Sequence, residues 1–129
     1  MTYQYSVAVR NAKLDAVEAQ IGVSAVLKIF SGAEPANCAA SDPAGLLATI
    51  TLPSDWMNAA SAGSKTKLGT WSGASSGTGT AASYRIYDSG GTVCGNQGAI
   101  PADMTLDNTS IVAPQVVTVN TFTLNAGNA

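Results

Sequence analysis

Histidine is absent from this chain of 129 residues, and charged residues make up only 11% of it. The first absence removes both the commonest general base and the commonest metal ligand. The second is measured against a usual share of about 25%. With a mean hydropathy of +0.16, little of the surface is protected by solvated charge. Such a surface is either polar through Ser and Thr or covered by other subunits, since obligate interfaces are poor in charge. The six Lys and Arg residues are dispersed, with no basic stripe to follow a phosphate backbone, so nucleic-acid binding is not expected. Apolar runs fall far short of a membrane span. The first residues, MTYQYSVAVR, lack the basic start and apolar centre of a signal peptide, so cytoplasmic synthesis and a soluble product are expected.

Cysteine is scarce too, with only Cys38 and Cys94. No CxxC spacing or histidine accompanies them, which excludes the usual zinc patterns. Buried thiols in a reduced compartment are the favoured expectation, with a disulfide as the alternative.

What is present is mostly β pattern. The organising stretch is GTAASYRIYDSGGTVCGNQGAI, from Gly79 to Ile100. Ala82 to Asp88 packs aromatic and β-branched residues as a strand prefers. Asp88-Ser89-Gly90-Gly91 supplies a turn, and Thr92-Val93-Cys94 resumes an extended pattern, so the stretch reads as a hairpin. Alternation places Ala82, Tyr84 and Ile86 on the better core face, opposite Ser83, Arg85 and Tyr87.

Taken in order, residues 1–8 alternate Tyr3, Tyr5 and Val7 against polar residues. This predicts an extended arm, or else a first strand. Over 11–21, Leu14, Val17 and Ile21 fall at helical spacing, with Asn11 as a plausible N-cap and Gly22 as the terminating glycine. Strands are expected over 24–30, 45–52 and 115–124. The stretch from Ser31 to Pro43 reads as a loop, and the stretch after Pro53 is either a single helical turn capped by Ser54 or a loop anchored by Trp56 in the core. Lys65 and Lys67 sit on an expected edge strand, where they protect it from stray pairing or reach a partner's carboxylate. The fold expected is mainly β, a single-domain antiparallel β-sandwich of jelly-roll or Ig-like type with one short N-terminal helix. Its strands occupy 24–124.

No catalytic constellation emerges. Asp88 and Asp103 could in principle face each other as a glycosidase pair, but turn and capping roles explain the acids better. Asp103 and Asp107 do not match a calcium loop, and GSKT at Gly63–Thr66 lacks the first glycine of a P-loop. No cofactor is expected.

Three phrases carry a resemblance: SAVLKIFSGAEPANCAASDPAGLLATITLPSDWM, GTAASYRIYDSGGTVCGNQGAI and DMTLDNTSIVAPQVVTVNTFTLNAGN. In that order they resemble a family of small proteins encoded by tailed phages and prophages, over nearly the whole chain from NAKLDAVEAQIG onward. The resemblance implies a virion structural component without catalytic residues, in the head or in the tail. With the low charge, it points to a capsid decoration or cement protein, made in the host cytoplasm and resident in the virion. The implied partners are the major capsid protein, other virion proteins and further copies of the chain. The residues expected to touch them are Tyr3, Tyr5, Lys65 and Lys67. A tail or tail-tip component is the second expectation. A carbohydrate-binding sandwich with Trp56, Trp71 and Tyr87 as its platform is the third.

Overall fold

The only helix among the described residues begins where Ser6 turns its side chain back on the chain. Its Oγ accepts from the Val9 N–H at 3.2 Å, satisfying one of the donors that a first turn leaves open. Helix α1 then runs over Val7–Ile21 and ends at Gly22, whose φ of 96° suits the residue without a Cβ. The structure, a computed structural model, describes residues 3–127. The helix therefore starts earlier than the Asn11 cap predicted, and takes Val7 and Ala8 from the expected arm. Asn11 instead accepts from the Gly63 N–H at 2.9 Å. Tyr3, Tyr5 and Val7 mimic a period of two only because the strand-like spacing continues into the first turn.

Among the described residues ten strands follow: β1 Val26–Phe30, β2 Leu46–Thr51, β3 Ser64–Thr66, β4 Ser72–Ala74, β5 Gly79–Thr80, β6 Ser83–Tyr87, β7 Cys94–Ala99, β8 Met104–Leu106, β9 Ser110–Ile111 and β10 Val116–Asn125. One antiparallel sheet has the order β2-β1-β6-β7, and a second has β3-β10-β4 with β8 also paired to β10. The small pair β5-β9 lies apart from both. The expected hairpin is β6 and β7, closed by Gly91 N–H to Asp88 O at 2.9 Å.

The sheets face each other across one core. Leu27 pairs in register with Ile50 and Ile86, and Ile29 with Ala48 and Tyr84, and all of these are buried. From the opposite sheet come Val117, Val119 and Phe122, with Met104 and Leu106 beside them. Tyr84 meets Phe122 edge-on at 5.6 Å between ring centroids, and Trp71 and Trp56 continue the aromatic column. Both indoles are buried with their N–H groups satisfied, Trp56 by Gly22 O and Trp71 by Leu68 O. Trp56 thus anchors a loop, the second of the two readings of that stretch.

At one seam the sheets join through backbone bonds from Ser76 and Gly77 to Leu47 O. A Cβ at Gly77 would lie 2.4 Å from Leu46 O, so glycine is required for that approach. Strand β10 departs from strict alternation. Its pairing with β8 shifts register between Val119 and Thr121, and this bulge turns Phe122 to the core face that Val117 and Val119 already occupy.

Candidate interaction surface

The N-terminal segment offers the most exposed aromatic side chain. Tyr3 is 65% exposed and leans edge-on against Tyr5 at 5.3 Å, while Lys13 Nζ lies 4.4 Å above the Tyr5 ring. One turn further, Val7 and Val9 are also exposed. Helix α1 buries only Leu14 and Ile21, so most of its attachment is polar. Arg10 reaches Ala126 O, Asn11 holds Gly63 N–H, and Glu18 accepts from Met57 N–H. The first two residues of the expected arm lie outside the described residues.

Lys65 is placed differently from the expectation that motivated it. It is 2% exposed, and its Nζ lies 2.7 Å from Asp15 Oδ1 and 3.0 Å from Glu18 Oε1, with Asn58 O at 2.8 Å. Asp15 and Glu18 stand three apart on the helix, so one face presents both carboxylates to the same ammonium. Burial opposes the charge on Lys65, but the bonds to Asp15 and Glu18 outweigh it and raise its pKa. The Lys65 bond, followed by the Ala60 N–H, holds the Asp15 carboxyl below its usual range. A lysine held protonated in this way is no Schiff-base nucleophile. The cluster lines a cavity of about 450 Å³ between helix and sheet, with Met57 and Ala19 in its wall. Lys67 is half-buried, and its Nζ bonds Gly69 O at 3.0 Å. Of the four residues expected to meet a partner, Tyr3 and Tyr5 sit together on the N-terminal segment, whereas Lys65 binds within the chain.

The outer face of the first sheet carries a feature that the sequence did not disclose. Ser83, Arg85 and Tyr87, expected to point away from the core, are also buried. The segment from Ser31 to Ala44 lies across them as a strap. Gly32 O accepts from Ser83 Oγ, Asn37 O and Asp42 Oδ1 accept from Arg85, and Pro35 O accepts from Gln97 Nε2. The Tyr87 hydroxyl donates to the same Asp42 carboxylate. Burial, then the bond to Asp42, pushes the Tyr87 phenol up to about 12. A disulfide between Cys38 and Cys94 ties the strap to the start of β7. This corrects the expectation of free thiols: the two side chains are brought together by strap and hairpin, which sequence separation alone did not indicate. A signal was available in the strip Ser83, Arg85, Tyr87, where an arginine and two hydroxyls on an otherwise apolar strand require partners.

Trp56, Trp71 and Tyr87 are each at most 2% exposed, so they form no sugar platform. Asp88, Asp103 and Asp107 hold turns and loops through backbone N–H groups, whereas Asp15, Glu18 and Asp42, also expected to serve turns or caps, pair instead with Lys65 and Arg85. Asp88 Oδ1 accepts from Thr92 and Val93 N–H, which hold its carboxyl below the usual range, and Asp103 accepts from Ala99 N–H. Asp107 accepts from Asn108 and Thr118 N–H. Among the described residues no group of three or more His, Cys, Asp or Glu side chains could hold a metal ion. Comparisons with protein-family models, with curated proteins and with solved structures find no match for this chain.

Proposed function

We propose that the chain is a non-enzymatic structural protein of a tailed-phage virion, acting as a capsid decoration or cement protein that adds contact area on the head lattice. The observation that carries the reading is a charge-poor surface set with separate aliphatic side chains. Val7, Val9, Val23, Leu46, Val93, Val112 and Val116 are each 43% exposed or more, in a chain with 11% charged residues. Scattered small apolar groups among Ser and Thr suit broad, shallow protein contacts, because short side chains lose little entropy on ordering. The resemblance to phage and prophage proteins supplies the setting. The Cys38–Cys94 bond suits a particle surface that meets oxidising surroundings after release.

The test is binding of the purified chain to heads assembled from the encoding phage's own coat protein and, separately, to its isolated tails. Saturable binding to heads supports decoration. Binding to tails alone moves the assignment to the tail. A monomer by light scattering that binds neither removes the structural reading.

A further inference from the structure

Beneath the strap lies a face whose side chains belong neither to the central core nor to solvent. Alternation along β1 and β6 puts Lys28, Phe30, Ser83, Arg85 and Tyr87 on the side of the sheet away from the core. Phe30, Arg85 and Tyr87 are each 2% exposed, yet Phe30 and Tyr87 stand outside the hydrophobic cluster between the sheets. An apolar ring, a phenol and a guanidinium side by side have the composition of an interface centre. We propose that this face is a docking site for an extended acidic polypeptide segment, and that the strap occupies it as an internal ligand until the Cys38–Cys94 bond is reduced.

The way the strap is held carries the assignment. No residue from 31 to 44 is itself buried, so no apolar side chain anchors the strap. Its contacts with the face are polar, from the carbonyls of Gly32, Pro35 and Asn37 and from the Asp42 carboxylate. Segments with few buried apolar contacts are the ones that open locally at least cost. The cross-link opposes that opening by keeping the strap beside β7 even when those bonds break. Cys38 and Cys94 are only partly buried, so the bond is not sealed from a dithiol reductant. Reduction breaks the one S–S bond, leaves two thiols on the chain and converts the dithiol to its own disulfide. The sheet does not need the strap to persist, because Leu27, Ile29, Tyr84 and Ile86 hold β1 and β6 through their core face.

Charge and main-chain geometry define the occupant. Lys28 and Arg85 are cross-strand neighbours, and among the described residues the only carboxylate paired with either is Asp42, brought by the strap. Lys28 Nζ lies over the Tyr87 ring and donates to Gly91 O. With the strap lifted, two positive charges lack a counter-charge, which favours a segment bearing carboxylates. Three strap carbonyls bonded by Ser83, Gln97 and Arg85 show that the face grips an extended main chain as well as a side chain. Leu46, in register with Phe30 and 43% exposed, continues the apolar surface at the sheet edge. This inference does not depend on the virion reading.

The test uses the full chain and a fluorescent peptide with the sequence of residues 31–44 carrying Cys38→Ser. Oxidised protein should not bind the peptide up to ~1 mM, whereas protein kept in dithiothreitol should bind it saturably below that concentration. Asp42→Ala in the protein weakens the internal competitor and should tighten binding in dithiothreitol about tenfold. Asp42→Asn in the peptide should weaken binding about tenfold. Hydroxyl-radical footprinting of the wild-type chain, reduced and then desalted, decides the matter if the protein variant fails to fold. Phe30 and Tyr87 should gain reactivity several-fold on reduction while Tyr84, on the core face, stays protected. Equal peptide binding by oxidised and reduced protein overturns the proposal, as does affinity indifferent to the peptide's carboxylate. Unchanged reactivity of Phe30 and Tyr87, or loss of protection at Tyr84 along with them, overturns it too.

Discussion

Lys65 and its two carboxylates set the largest single-residue expectation. Lys65→Ala leaves Glu18, 19% exposed at its side chain, facing Asp15 without the ammonium between them. A loss of about 2–3 kcal/mol is expected in chemical denaturation, less than for a wholly buried pair because Asp15 is half exposed. The pH dependence follows from the same bonds. Asp15 and Asp88 have native pKa values below the ordinary carboxylate value, so their stabilisation is complete above that ordinary value. It is lost as pH falls through the lower native values, and denaturation midpoints should decline from about pH 4 downward. At the other extreme, Tyr87 has its native pKa raised to about 12, so its contribution is whole below the ordinary phenol value of 10.0. That contribution disappears as pH rises toward 12, and the tyrosinate absorbance of Tyr87 should appear together with unfolding. Little of this was legible in sequence. Period two put Lys65 and Lys67 on one strand face, but Asp15, 50 residues away, and Glu18 reach Lys65 from the helix.

Strap and helix are the elements in which local and distant information separate most clearly. The β6-β7 hairpin and β10 were readable because alternation and turn residues are local properties of the chain. Every anchor of the strap is non-local, from Gly32 to Ser83 through Cys38 to Cys94, so its Gly and Pro content announced only a loop. Cys38→Ser/Cys94→Ser should cost about 2–5 kcal/mol in thermal or chemical denaturation. Under reducing conditions the wild-type strap should become a site of limited proteolysis near Ala39–Ala40, and the oxidised protein should resist. A loss no larger than ordinary packing would show that the hydrogen bonds of Arg85 and Asp42 hold the strap without the cross-link. At the helix, Ser6→Ala removes the cap that the sequence assigned to Asn11, and about 1 kcal/mol should be lost.

For the whole molecule, the expectation is association. Deleting residues 1–6 should leave a folded domain with a modestly lowered melting temperature but weaker assembly, because Tyr3 is exposed, Tyr5 packs on Tyr3 and Lys13, and Ser6 caps the helix. A fall in melting temperature much beyond the Ser6→Ala value would make that segment part of the fold's support. Light scattering and particle-binding assays on the two forms separate these outcomes. The β class, the single helix and its glycine stop were all carried by periodicity. Register, the β10 bulge and the closing of the two sheets came only from tertiary packing, which one strand's pattern does not encode.

The Cys38–Cys94 cross-link also changes how the chain would carry tension. Pulled from its two ends, the molecule can extend only the chain outside the bond, because the stretch between the cysteines, a sequence separation of 56, is bypassed. That withholds roughly 190 Å of contour length from extension, at the reach of an extended chain. Strands β2 to β6 lie wholly inside the bypass, so force reaches them only sideways, through the strands they pair with (β1, β7, β9 and β10) and through the bond itself. A tether stretched between neighbours would therefore yield first at α1 and β10, while β2 to β6 cannot be drawn out in line past the bond.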